Sequence, residues 1–130
     1  MRIFIIDDDE IFLFLTKKAI SSAIISGEIA DFEQGETALD FLKKNLANPE
    51  LLPDFIFLDL NMPVMDGWEF LEEYSKIAPL VEKKICLFVL SSSISPYDVD
   101  KAKKNELVSD FLVKPLTKEI LSDIFTRYGD

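Results

Sequence analysis

Five side chains with chemical potential stand where apolar runs end. Asp7 and Asp8 follow the run Arg2–Ile6, Asp59 follows Phe55–Leu58, Ser91 follows Ile85–Leu90, and Lys114 follows Phe111–Val113. A carboxylate that closes a buried run gives up hydration, so it needs a cation, a hydrogen-bonding loop or a chemical task. Adjacent acids such as Asp7 and Asp8 repel each other unless a cation lies between them. Mg²⁺ suits such a place, being a hard cation that takes one or two carboxylates and keeps part of its water. Spacing alone allows either Asp7/Asp8 or Asp8/Asp9 as the pair, and the first is chosen because it follows the apolar run at once. Ser91 and Lys114 can neutralise phosphoryl oxygens across from the metal. A carboxylate such as Asp59 can itself be the nucleophile and form an aspartyl phosphate. Taken singly, each residue has a plainer reading: Asp59 as a turn cap, and the acidic cluster, Asp9 and Glu10 above all, as favourable charge at a helix N-terminus. Four strand ends carrying the set together favour the chemical reading.

The elements that must bring these ends together can be read along the chain. The short, wholly apolar runs have the pattern of strands buried on both faces. Between them, a helix over residues 9–25 is predicted with Phe12, Leu15, Ala19 and Ala23 inward, and with Ile11, Leu13 and Phe14 making its first turns apolar nearly all round. Gly27 is expected to end it. Residues 28–33 form a weakly apolar strand near an edge, and Ala38, Leu39 and Leu42 mark a second helix that ends between Asn45 and Pro49. Pro63 and the pair Asp66-Gly67 turn the chain after Asp59. Phe70, Leu71 and Tyr74 define a third helix over 67–77. Ser95, Pro96 and Asp98 open a fourth as a capping box. Thr117 caps a fifth, whose buried stripe is Ile120, Leu121, Ile124 and Phe125. Five strands alternating with five helices imply an α/β fold, a doubly wound, five-stranded parallel sheet in a flavodoxin-like, three-layer (βα)5 sandwich, for which 2-1-3-4-5 is the most economical order. Strands 1 and 3 are then neighbours at the switch point, with Asp7 and Asp8 beside Asp59 and with Ser91 and Lys114 on the rim.

Composition narrows the function. The 130 residues fit a single domain over 1–130 with no output domain, and 48% hydrophobic content supports a substantial core. A net charge of -10 opposes a nucleic-acid surface. With no histidine, imidazole ligands and His-dependent relays are excluded. The single cysteine, Cys86, lies in an apolar run, cannot form an internal disulfide and agrees with a cytoplasmic setting. The N-terminal apolar run is too short for a signal peptide, and no run reaches the length of a membrane span.

Over essentially its whole length the chain resembles the receiver domains of two-component response regulators. The resemblance rests on Ile5-Ile6-Asp7-Asp8, on Leu58-Asp59-Leu60-Asn61-Met62-Pro63 with Met65-Asp66-Gly67, on Leu90-Ser91-Ser92, and on Phe111-Leu112-Val113-Lys114-Pro115. It implies that Asp59 accepts phosphate from a sensor histidine kinase or a histidine phosphotransfer protein, and that Lys114 binds the phosphoryl group. Asp8 and Asp59 would bind Mg²⁺ directly, Asp7 through water and Asn61 through its backbone carbonyl. The Lys114-Pro115 bond would be cis. Ser91 and Phe111 would form a switch that alters the face of the fourth helix, last strand and last helix for a downstream protein target, in a monomer or a phosphorylation-dependent homodimer. Two departures stand out. Ser91 replaces the commoner Thr, and residues 105–110 lack the usual Gly-Ala pair, which predicts a locally different backbone.

Three rivals are weighed. A haloacid-dehalogenase-like phosphatase needs an acid two residues after the nucleophile, where this chain has Asn61. A phosphorylation-independent docking adaptor would typically have lost an acid or the lysine. A flavin carrier would need a phosphate-cradling loop where this chain has three acids. The expectation is a stand-alone receiver that is not an enzyme beyond catalysing its own phosphorylation and dephosphorylation, either a final docking switch or a relay intermediate. Partner choice is assigned to the first helix around Leu13 and Phe14.

Overall fold

Runs of β-branched and aromatic residues with no turn former inside them make the three central strands: β1 (Arg2–Ile6), β3 (Phe55–Asp59) and β4 (Cys86–Ser91). The computed structural model describes residues 1–24 and 27–129. Two edge strands, β2 (Glu28–Phe32) and β5 (Val108–Val113), complete a parallel sheet of order β2-β1-β3-β4-β5, as expected. The helices are α1 (Glu10–Ala23), α2 (Gly35–Lys44), α3 (Gly67–Ile77), α4 (Pro96–Lys103) and α5 (Lys118–Tyr128), with 3-10 turns at Pro49–Leu51 and Ala78–Leu80.

Because side chains alternate across a strand, each central strand serves two cores. Phe4, Ile6, Ile56, Leu58, Leu87 and Val89 face α2, α3 and Ala102 of α4. Ile3, Ile5, Phe55, Phe57, Phe88 and Leu90 face α1 and α5, where Phe88 stacks on Phe57 at 5.5 Å and Phe125 meets Phe55 edge-on at 5.1 Å. At the N-terminal end of the sheet, Asp54 Oδ2 accepts from the Arg2 backbone N–H at 2.8 Å, which sets β1 and β3 side by side and their far ends with them. Across the other core, Lys101 of α4 lies 4.5 Å over the ring of Trp68 in α3 and 5.8 Å from that of Tyr97.

Several local expectations change. Helix α1 turns Phe12, Leu13, Thr16 and Ile20 inward, so Leu13 is 5% exposed while Leu15 is 55% exposed. Its first turns are apolar on every side, so nothing in them selects a phase, and Ile20 decides it. The partner surface placed around Leu13 and Phe14 therefore keeps Phe14, with Ile11 and Leu15 exposed beside it. The helix stops at Ala23 with Ile24 already extended, so Gly27 is not its cap; the expected end at Ile25 lies outside the described residues. In α5, Leu121, Ile124 and Phe125 are buried, whereas Ile120 is at the rim, 38% exposed. Ser95 Oγ accepts from the Asp98 N–H at 3.4 Å without a return bond among the described contacts. The full capping box is instead at α3, where Asp66 and Glu69 bond each other's backbone at 2.8 and 3.0 Å. Strand β5 begins at Val108, three residues before the predicted start. Its register against β4 slips between Leu87 and Phe88, pairing them with Val108 and Asp110 and leaving Ser109 as the extra residue of a bulge. The segment without the Gly-Ala pair is thus where the backbone departs from a regular ladder.

Candidate functional site

The site is built from the carboxyl ends of β1, β3, β4 and β5. Asp7 leaves β1 with its N–H bonded to the Phe32 carbonyl at 2.9 Å, and its side chain is fully buried. Its Oδ1 accepts from the Asp9 N–H at 2.9 Å. Asp9 Oδ1 in turn accepts from the N–H groups of Ile11 and Phe12 at 3.0 and 3.1 Å, capping α1. Asp9 is thus engaged in capping α1. Asp59 ends β3 at 3% exposure and accepts from the Asn61 N–H at 3.3 Å. Asp7, Asp8 and Asp59 each offer a carboxylate oxygen, and the three lie within 4.8 Å of one another.

Lys114 reaches the same point from the end of β5, after which the Lys114-Pro115 bond is cis. Its Nζ is 2.7 Å from Asp7 Oδ2 and 3.5 Å from Asp59 Oδ1. The closer approach is well placed for an ion pair but badly angled for a hydrogen bond, so among the described residues this buried Asp7 oxygen has no directed donor. Burial, and then the negative charge of Asp7, push the Asp59 carboxyl up to about 6; Lys114 and the Asn61 N–H only partly offset this. Burial alone would lower the Lys114 ammonium, but its close approach to Asp7 and the charges of Asp7 and Asp59 outweigh that and raise it. Three carboxylates facing one lysine leave an excess of negative charge. That excess, the Asp7 oxygen left without a hydrogen bond and an all-oxygen donor set fit a hard divalent cation.

Of the predicted residues, Asp7, Asp8, Asp59 and Lys114 meet directly. Asn61 is exposed two residues past Asp59 and is tied to it through its own N–H. Ser91 is buried at the end of β4; its Oγ accepts from the Ser93 N–H at 3.2 Å and its carbonyl accepts from the Lys114 N–H at 2.8 Å. Phe111 is half-buried and borders a pocket of about 280 Å³ between α4 and β5, with Val99, Ala102 and Val108.

Three features of the site were not read from the sequence. Phe12, assigned only to the core, lies under Lys114 with its ring centroid 4.4 Å from Nζ. Gly67 donates its N–H to the Leu60 carbonyl at 3.0 Å, and a Cβ there would fall 2.7 Å from Leu60 Cα and 2.8 Å from the Asp59 carbonyl. Gly67→Ala is therefore expected to lower stability by about 1–3 kcal/mol, because the obstruction is backbone at the end of β3. Urea unfolding checks this. Val64 has φ 68° at 89% exposure in the loop between β3 and α3. A β-branched residue is strained there, so Val64→Gly is expected to stabilise the fold by about 1 kcal/mol, read as a higher urea midpoint at constant slope. The signal available beforehand was the turn-rich composition of 61–67, which marks a loop without saying which residue carries the positive φ.

A doubly wound sheet with an acidic pocket faced by lysine at its switch point defines a flavodoxin-like α/β domain. The chain belongs to the response regulator receiver domain family, whose model matches residues 3–126. It is 31% identical over 119 residues to the probable methanogenesis regulatory protein FilR2 of Methanothrix harundinacea (strain 6Ac), covering 92% of this chain and 75% of that protein. It is 28% identical over 117 residues to the two-component response regulator ORR1 of Oryza sativa subsp. japonica, covering 88% of this chain and 49% of that protein, so it spans about half of that relative's length. A crystal structure of a two component response regulator from Cytophaga hutchinsonii superimposes with a TM-score of 0.88 at 30% identity, over 98% of this chain and 95% of that one. Receiver domains are generally signalling proteins rather than classical enzymes. They typically bind Mg²⁺ at an acidic pocket and interact with a histidine kinase or phosphotransfer protein and with downstream targets.

Proposed function

We propose that this protein is a phosphorylation switch in which Asp59 accepts a phosphoryl group from a phosphohistidine. The reading rests above all on the meeting of Asp7, Asp8 and Asp59 within 4.8 Å of one another, with Lys114 Nζ 3.5 Å from Asp59 Oδ1. In the reaction an Asp59 carboxylate oxygen forms a bond to phosphorus as the phosphorus–nitrogen bond of the donor breaks, the electron pair leaving with the imidazole. Asp7, Asp8, Asp59 and the Asn61 carbonyl would hold Mg²⁺, which supplies positive charge for the transferring phosphoryl oxygens. Lys114 supplies the remaining charge from the side of β5. Asp7 stays in place through its bond from the Asp9 N–H, and Ser91 holds the lysine's backbone.

The new acyl phosphate carries oxygens that attract the Ser91 hydroxyl away from the Ser93 N–H. That movement frees space for Phe111 to turn inward and reshapes the face of α4, β5 and α5 for a protein target. The pocket beside Phe111 supports the last step, since the ring has room at the sheet edge. A cytoplasmic setting is part of the same reading, supported by a lone, buried and unpaired Cys86; no described helix is long and apolar enough to cross a membrane.

The test is an intact-mass spectrum after incubation with acetyl phosphate, with and without Mg²⁺, beside Asp59→Asn. One added phosphoryl group that needs Mg²⁺ and is missing from the variant supports the acceptor role. Failure of folded, Mg²⁺-loaded protein to react overturns phosphorylation by small donors and moves the assignment to a docking adaptor.

A further inference from the structure

We propose that Phe12 is a positioning residue for Lys114: the face of its ring holds the ammonium beside Asp59 when the carboxylates are engaged elsewhere. This rests on the phosphoacceptor reading above. The Lys114 Nζ lies 4.4 Å from the ring centroid, within the range where a cation is drawn to an aromatic face. Phe12 is 7% exposed and the Lys114 side chain 15% exposed, so the contact is nearly free of water, where such attractions are strongest.

The other partners of the ammonium are Asp7 Oδ2 and Asp59 Oδ1, and both belong to the acidic group suited to a divalent cation. Any cation entering that group competes with Lys114 for the same oxygens and repels it. A phenyl ring does not ionise and is no ligand for a hard cation, so its hold on the lysine is untouched. Phe12 is also well fixed. Its N–H donates to the Asp9 cap at 3.1 Å, and its side chain belongs to the core formed with α5 and the Phe57 face of the sheet. One short segment, residues 7–12, therefore supplies two carboxylates, the helix cap that orders them and the ring that steadies the lysine.

The experiment compares Phe12→Leu, Phe12→Met and Phe12→Tyr in the full chain. Leu and Met keep apolar bulk and lose the ring; Tyr keeps the ring. The readouts are the rate of Asp59 modification by acetyl phosphate at saturating Mg²⁺, Mg²⁺ affinity by titration, and the NMR shift of the Lys114 ε-methylene, which a ring face displaces. The Leu and Met variants are expected to react about five- to tenfold more slowly and to lose the displaced shift. Tyr is expected to restore both, and Mg²⁺ affinity is expected to stay within about twofold throughout. Wild-type rates in the Leu or Met variant, or a Tyr variant as slow as they are, would overturn the inference. A wild-type protein that takes no phosphoryl group overturns the acceptor reading and this inference together, whereas normal wild-type reaction with no effect of ring removal overturns this inference alone.

Discussion

Replacing Asp59 with Asn is expected to stabilise the metal-free protein at pH 7 by about 2 kcal/mol. The carboxyl is raised from its ordinary 3.8 to about 6 by burial and by Asp7, so the folded state holds this proton more tightly than the unfolded chain does. Between pH 3.8 and about 6 the native state binds the extra proton, and stability falls as the pH rises through that window. Above it the penalty is complete, and below it the penalty vanishes. The shift corresponds to about 3 kcal/mol, reduced because a buried amide also loses hydration. Urea unfolding in the presence of a chelator at pH 7 and again near pH 4 checks the expectation. The gap between wild type and variant should shrink at the lower pH. Mg²⁺ should then raise the stability of the wild type much more than that of Asp59→Asn, since it relieves the repulsion that the substitution has already removed. A variant less stable than wild type at pH 7 would show that Lys114 and Asn61 already balance Asp59.

Removing the lysine should act in the opposite direction. Lys114→Met leaves the fully buried Asp7 and the almost fully buried Asp59 facing each other with no cation between them. Breaking a buried charge pair from one side is strongly destabilising, and we expect a loss of about 3 kcal/mol in the metal-free protein. Saturating Mg²⁺ should return most of it, and Mg²⁺ should bind about tenfold more tightly because one competing positive charge is gone. Phosphorylation of Asp59 should slow by about a hundredfold even with Mg²⁺ bound, since a fixed charge on the transferring group is lost. Unfolding with and without Mg²⁺, a Mg²⁺ titration and the mass-spectrometric rate separate the three effects. Unchanged stability without metal would mean that the acids relax apart.

The strand ends were legible because a parallel strand buried on both faces has to be a nearly unbroken apolar run, so the polar residue that stops it marks its carboxyl end. Asp7, Asp59, Ser91 and Lys114 were located that way, and the alternation of strands and helices called for a parallel sheet, of which 2-1-3-4-5 was the most economical order. The phase of α1 was not legible, because Ile11 to Leu15 are all apolar and the sidedness of the helix is decided further along, where Ile20 enters the core shared with α5. The first half of β5 was hidden as well. Ser109 and Asp110 read as loop, and only pairing with β4 makes them an edge strand with a bulge. Asp9 and Phe12 were each given a local role. For Asp9 that was sufficient, since its cap is a local bond. For Phe12 it was not, because the lysine above its ring arrives from the other end of the chain.

Trp68 is the sole tryptophan, and it stands at the start of α3 directly after Gly67, the residue fastened to Leu60 beside Asp59. The cation that lies over its indole belongs to α4, on the far side of the loop that runs from Ser91 at the end of β4 to the Ser95 cap. Its fluorescence is thus a built-in gauge of the gap between α3 and α4. A charge withdrawn from the ring face alters the colour and yield of the emission, with no second indole to blur the signal. Whatever moves α4 can be followed by light, in unlabelled protein and in real time.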